Sequence, residues 1–291
     1  MNSLYDFFIA PFVEFGFMQR ALLGSLMLSI GAGPVGVFLT LRRMSLTGDA
    51  MAHAILPGAA AGFLLYGLEL VPMTPGGLVA GMVVALGAGA VSRLTVQKED
   101  ASMAAFYLIA LSVGVVMVSM RGSSIDLMHV LFGTVLALNT DALVLIGLVT
   151  AMTPVTMLVF RRALIAECLD PLFLRSVSGL GSPVHFIFLG LVVLNLVAGF
   201  QALGTLLSVG LMVLPATAAR FWTSRVETMC VVAIAIGVLS SIGGLLLSYH
   251  FSLPSGPAII LSTGVIYAVS VPAGPRGVLA TMRPRTSHRT A

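Results

Sequence analysis

The chain has 291 residues, 58% of them hydrophobic and 9% charged, with a formal net charge of +4. A soluble domain carries roughly 25% charged residues, so this composition cannot cover a water-facing surface, and lipid must be the solvent for most of the chain. The 15 basic residues stand singly or in pairs between apolar runs and include one lysine, Lys98. That is the pattern of membrane loops, and it sets nucleic acid aside as a partner.

A membrane-spanning helix needs about 20 mostly apolar residues. Met1 to Phe17 has no basic residue ahead of its first apolar stretch, so it does not read as a cleaved signal peptide. Nine stretches then meet or approach the required length: 18–41, 50–68, 76–94, 102–119, 141–160, 184–200, 203–220, 227–248 and 256–272. A shorter segment, 126–138, reads as a re-entrant or interfacial helix. Only Gly199–Gln201 divides the pair at 184–220, so eight crossings with one broken helix fit the same pattern. The expected fold is an all-α polytopic bundle of eight to nine transmembrane helices. Residues 1–275 form its membrane domain, and 276–291 form a basic tail expected to be disordered.

Charge sets the orientation. With Arg42 and Arg43 on the cytoplasmic side, alternation brings there every basic residue except Arg20 and Arg121. The positive-inside rule then favours N-terminus out and C-terminus in. The longest polar connection, about 163–182, interleaves Glu167, Asp170 and Arg175 with Leu172, Phe173, Leu174 and Val177. Such a pattern suits a short amphipathic helix, either lying at the lipid interface or docking a partner subunit. Cys168 and Cys230 have no metal-ligand spacing and fall near the cytoplasmic side, where thiols stay reduced.

The chain has 31 glycines, many of them within the apolar spans, among them Gly58 and Gly62 at a four-residue interval. Small residues at that spacing let helix backbones approach closely in lipid. Prolines such as Pro34, Pro57, Pro215 and Pro257 imply kinks or breaks, tolerated where freed backbone groups meet protein or a water-filled cavity.

Few polar side chains remain that could carry chemistry. Asp49 and His53 are spaced i, i+4 and so share one helix face. Carboxylate oxygen and imidazole nitrogen both bind zinc, manganese or iron. Ionisable groups at membrane depth are costly and usually face a pathway or a partner. A structural hydrogen bond at the helix start is the competing explanation. His250, in Ser248-Tyr249-His250-Phe251-Ser252 on the outer side, and His129, beside Asp126 in the short segment, are weaker metal candidates. His185 and His288 fall on the cytoplasmic side and read as solvated. Asp141 reads as a helix-start carboxylate, and Asn195 and Gln201 as interhelical hydrogen-bond residues. The sequence has no phosphate loop of the Gly-x-x-x-x-Gly-Lys-[Ser/Thr] type, so the chain is not expected to hydrolyse ATP, and no His-Glu-x-x-His pair.

Several of these residues lie in ordered motifs. Leu41-Arg42-Arg43-Met44-Ser45-Leu46 leads into Gly48-Asp49-Ala50 and His53-Ala54-x-Leu56-Pro57-Gly58. Leu169-Asp170-Pro171-x-Phe173, Gly204-Thr205-Leu206-Leu207 with Leu214-Pro215-Ala216, and Ser248-Tyr249 with Pro254-Ser255-Gly256-Pro257 follow. Together they resemble the permeases of zinc-, manganese- and iron-importing ABC transporters, over about Phe17 to Pro272. The resemblance implies a homodimer of permeases in a bacterial cytoplasmic membrane, with two cytoplasmic ATPase subunits and an external metal-binding protein. It implies no tightly bound cofactor, the divalent metal being the substrate. It maps the membrane metal site onto Asp49 and His53, and the coupling element onto Asp170, Pro171 and Phe173, with Glu167 in the same segment. Ser252 departs from the family, which often has an acidic residue just before its Pro-Ser-Gly motif.

The expected function is therefore ATP-driven import of a divalent transition metal by alternating access. Imidazole gives zinc a slight edge over manganese or iron. A stand-alone transporter driven by an ion gradient and a membrane-embedded metal-dependent hydrolase are the rival readings.

Overall fold

The computed structural model describes residues 3–66, 70–120, 138–170, 174, 176 and 181–282. All but the last residue of the segment expected at 126–138, and the tail beyond Met282, lie outside them. Two short helices, Ser3–Phe8 (α1) and Ala10–Glu14 (α2), precede the long ones. These are Gly16–Leu41 (α3), Ser45–Tyr66 (α4), Leu70–Leu94 (α5), Glu99–Met120 (α6) and Thr140–Val159 (α7). Arg161–Leu169 (α8) is short, and Gly181–Leu203 (α9), Thr205–Ala219 (α10), Val226–Phe251 (α11), Ser255–Ala273 (α12) and Val278–Met282 (α13) complete the described chain.

Among the described residues, seven helices are long and apolar enough to cross a bilayer. Helix α4 is long enough, but it opens with Ser45, Thr47, Asp49 and His53 and is not among the seven. Helix α10 has 15 residues, about 22 Å at 1.5 Å per residue, short of the roughly 30 Å hydrocarbon core. The break before it falls at Gly204, not at Gly199–Gln201, which stay inside α9. The reason is conformational: Gly204 has φ 88°, a left-handed backbone that glycine adopts without cost.

Helices α3 and α9 form the centre, with 72% and 78% of their span residues buried against 17% for α6. On one flank α4, α5 and α6 pack on one another, and on the other α10, α11 and α12 do the same. Helix α3 seats against α10 and α11, and α9 seats against α5 and α7. Small residues permit this density. A β-carbon added at Gly36 of α3 would overlap the carbonyl oxygen of Met212 in α10. Asn195 in α9 donates to Thr153 Oγ1 in α7 at 2.8 Å, and Thr74 Oγ1 in α5 donates to Gln201 in α9 at 2.8 Å. Polar groups buried in apolar surroundings need such partners.

The charged helix ends gather on one side. Arg42 reaches His185, Arg93 reaches Glu167 and Ser182, and Arg161 reaches Glu227 at 2.6 Å. Arg276 donates its backbone N–H to Phe221. The other side is marked by Phe7, Phe15, Tyr249 and His250, whose rings meet.

Candidate metal-binding site

The metal candidates ride on α4, whose start is fixed by the turn before it. Arg42 ends α3 in a right-handed conformation and Arg43 follows at φ 61°. The Met44 N–H then bonds Leu39 O at 2.9 Å, the six-to-one closure of a Schellman turn. The chain reverses there and enters α4 at Ser45. Asp49 therefore sits little more than one turn from the basic face.

His53 Nε2 lies 3.9 Å from Asp49 Oδ1. A tetrahedral ion with ligand bonds of about 2.0–2.2 Å would hold two donor atoms roughly 3.4 Å apart, so a small side-chain adjustment suffices. The Asp49 side chain is 67% exposed and that of His53 34%. Asp49 lines a cleft of 240 Å³ with Thr47, Asp100, Met103 and Tyr107, between α4 and α6. The Tyr107 ring stands 6.5 Å from the imidazole of His53. The other ring nitrogen of His53, Nδ1, is buried with no hydrogen-bond partner among the described residues. No group of three or more His, Cys, Asp or Glu side chains able to hold a metal occurs among the described residues. The pair alone can make two bonds to a cation.

The weaker candidates lie elsewhere. His250, at the end of α11, stacks on Phe7 with ring centroids 4.1 Å apart, and its Nε2 lies 3.1 Å from Phe7 O. It tethers α1 on the side away from the charged face. His129 and Asp126 lie outside the described residues, as does His288.

The connection about 163–182 begins as α8, whose Leu164 and Glu167 are buried while Arg161, Arg162, Leu169 and Asp170 are exposed. Asp170 caps the end of α8 in an extended conformation. Pro171 and Phe173 lie outside the described residues. Glu167 turns inward and pairs with Arg93 at the end of α5, the two side chains 3% and 9% exposed.

His185, expected to be solvated, is instead 2% exposed. Arg42 Nη1 lies 3.1 Å from its Nδ1. A guanidinium can only donate, so Nδ1 accepts and a neutral ring carries its proton on Nε2. That nitrogen is 3.0 Å from a carboxylate oxygen of Glu99. Arg42 also lies over the ring of Phe188, 4.3 Å from its centroid. Burial pushes the Cys168 thiol up, although Arg42 beside it pulls the other way. Arg42, Arg93, Glu99, Glu167, Cys168 and His185 line one cavity of 440 Å³. Sequence reasoning took Arg42 as an orienting charge and part of a family motif, took Arg93 only as an orienting charge, and missed the partners of both. The available signal was opposite charge at the ends of successive spans on the same side.

The chain matches the model of the ABC 3 transport family over residues 14–273. It is 31% identical to the manganese transport system membrane protein MntC of Halalkalibacterium halodurans, covering 96% of this chain and 94% of that one. It is also 31% identical to the manganese import system permease protein ScaB of Streptococcus gordonii, over 90% and 93% of the two chains. A probable iron transport system membrane protein of Haemophilus influenzae is 31% identical over 92% and 97%. Among solved structures, PsaBC from Streptococcus pneumoniae in complex with Fab superposes with a TM-score of 0.80 at 29% identity, covering 92% and 96%. With its apolar spans and this match over most of its length, the chain belongs to the ABC 3 transport family, as a membrane-spanning permease and not an enzyme.

Proposed function

We propose that this chain is the membrane-spanning subunit of an ATP-driven importer for a divalent transition metal, in a bacterial cytoplasmic membrane. The observation that carries the reading is the Asp49–His53 pair, on one face of a polar-opening helix, beside a cleft between α4 and α6. Two ligands per subunit suit transport, because conduction needs binding weak enough to release the ion. A second permease copy brings a second pair. An external binding protein delivers the ion, and two cytoplasmic ATPases supply the work. Helix α4 and the short α10 both serve as crossings, giving nine helices with the N-terminus outside.

Ligand chemistry alone gives zinc a slight edge through the imidazole, while the carboxylate is equally welcome to manganese. The relatives named above are manganese transport and import proteins and a probable iron transport protein, which favours manganese as the first cargo to test. In each cycle the pair on α4 receives the ion, and movement of the ATPases, pushed through α8 and the residues after it, turns the pair toward the cytoplasm.

The test is reconstitution of the permease with its ATPases in liposomes, with the binding protein supplied outside. Manganese should accumulate only with ATP inside. Accumulation by the permease alone, without nucleotide, would replace this reading with gradient-driven transport.

A further inference from the structure

We infer that the buried Arg93–Glu167 ion pair ties α8 to the helix pair carrying Asp49 and His53. The outer face of α8 is left to meet the ATPase. The inference rests on the transport reading above and names two positioning residues that it does not assign.

The linkage is contiguous. Helix α8 holds Leu164 fully buried and Glu167 5% exposed, while Arg161, Arg162 and Leu169 face outward. Its inner face therefore belongs to the bundle, and a partner can touch only the outer one. Glu167 pairs with Arg93, in the last turn of α5. Arg93 Nη1 also donates to Ser182 at 3.2 Å, at the start of α9. From there α5 is fixed to α4 without side chains between them: a β-carbon on Gly58 would overlap Gly76 O, and one on Gly76 would overlap Gly58 O. Two helices in backbone contact cannot slide freely, because packed interiors resist deformation. A displacement of α8 thus reaches α4 through one ion pair and one helix crossing.

Electrostatics makes the ion pair the stiff part of this path. Separating two opposite charges that are almost completely shielded from water leaves each uncompensated, which is strongly unfavourable. Arg93 bonds the Glu167 Oε1 atom, and Oε2 has no hydrogen-bond partner among the described residues. The carboxylate is therefore held chiefly by Arg93. A surface pair such as Arg161–Glu227, with side chains 47% and 68% exposed, would be screened and compliant.

The decisive quantity is the number of manganese ions carried per ATP hydrolysed, measured on the complete reconstituted complex with Glu167→Gln and Arg93→Gln. Both should lower that ratio at least fivefold, uptake falling further than hydrolysis. Arg93→Lys and the exchanged pair Arg93→Glu with Glu167→Arg should recover part of it. An unchanged ratio in both single variants overturns the proposal, because a purely structural role would lower uptake and hydrolysis together. A second readout does not depend on the cargo. In a chain with Cys168→Ser and Cys230→Ser, Leu46→Cys on the exposed start of α4 reports by alkylation whether α4 responds to nucleotide. Nucleotide should change the labelling rate, and Glu167→Gln should abolish the change. If the wild-type complex carries no metal, the transport reading fails and the labelling arm alone decides: a response retained in Glu167→Gln overturns the linkage. If Glu167→Gln does not assemble, Glu167→Asp replaces it, with an intermediate ratio expected and an unchanged one overturning.

Discussion

Gly58 of α4 and Gly76 of α5 meet backbone to backbone, each occupying the space a β-carbon on the other would need. Gly62 extends the same contact, its backbone nitrogen 3.7 Å from where a Gly76 β-carbon would stand. Overpacking a tight interior costs about 1–3 kcal/mol, occasionally more, and here neither neighbour is a flexible side-chain end. Gly58→Val should therefore lower the melting temperature of the detergent-solubilised protein clearly. Gly264→Ala, where nothing lies within 4 Å of the new carbon, should leave it unchanged. Equal melting of both variants would remove the crossing from the account.

Asp49→Ala and His53→Ala should each lower ATP-dependent metal uptake at least tenfold while the complex still assembles. Both side chains are partly exposed and 3.9 Å apart, so little packing depends on them. Radiolabelled uptake and co-purification with the ATPase measure the two effects separately. Normal uptake by both variants would end the assignment of the pair as the ion's perch.

His250 offers the contrasting case. Its ring is engaged by Phe7 in stacking and by the Phe7 carbonyl. His250→Ala should loosen the N-terminal helices, detected as faster proteolysis near Phe8, and leave uptake within about twofold, since single surface contacts of this kind are worth about 1 kcal/mol. A tenfold loss of uptake with the N-terminus still protected would return His250 to the pathway.

The Asn195–Thr153 hydrogen bond joins α9 to α7 inside the bundle. Asn195→Leu should destabilise by roughly 0.6 kcal/mol, the average for hydrogen bonds between membrane helices, and by no more than about 1.7 kcal/mol, the largest such value. Thr153→Val on top of it should cost less than it does alone, because the shared bond is already gone. Simple additivity in thermal unfolding would mean the two side chains act independently.

Cys168 gives a pH prediction. Burial disfavours its charged form and raises the thiol's titration point, so the reactive thiolate appears only at higher pH. In a Cys230→Ser background, alkylation of Cys168 should show a midpoint above the ordinary value of about 8.5. Arg42→Gln removes the neighbouring cation and should move it higher still. A midpoint at or below the ordinary value would mean that the site opens to water.

The membrane class and the helical fold were legible from composition and apolar run length, because lipid permits only structures that satisfy every backbone group internally. Charge alternation grouped the basic helix ends on one face, where Arg42, Arg93 and Arg161 meet His185, Glu167 and Glu227. The Asp49–His53 spacing was equally readable, since four residues make one turn of a helix whatever surrounds it. Other features lay beyond local sequence. Glu167, expected at a docking surface, is paired with a residue 74 positions away. His185, expected in water, bridges Arg42 and Glu99 from different helices. The break in the long apolar run fell at Gly204, where a positive φ ends α9. Periodicity and composition report how each segment meets its solvent. Which charge finds which partner depends on how the helices cross, and only the packed bundle decides that.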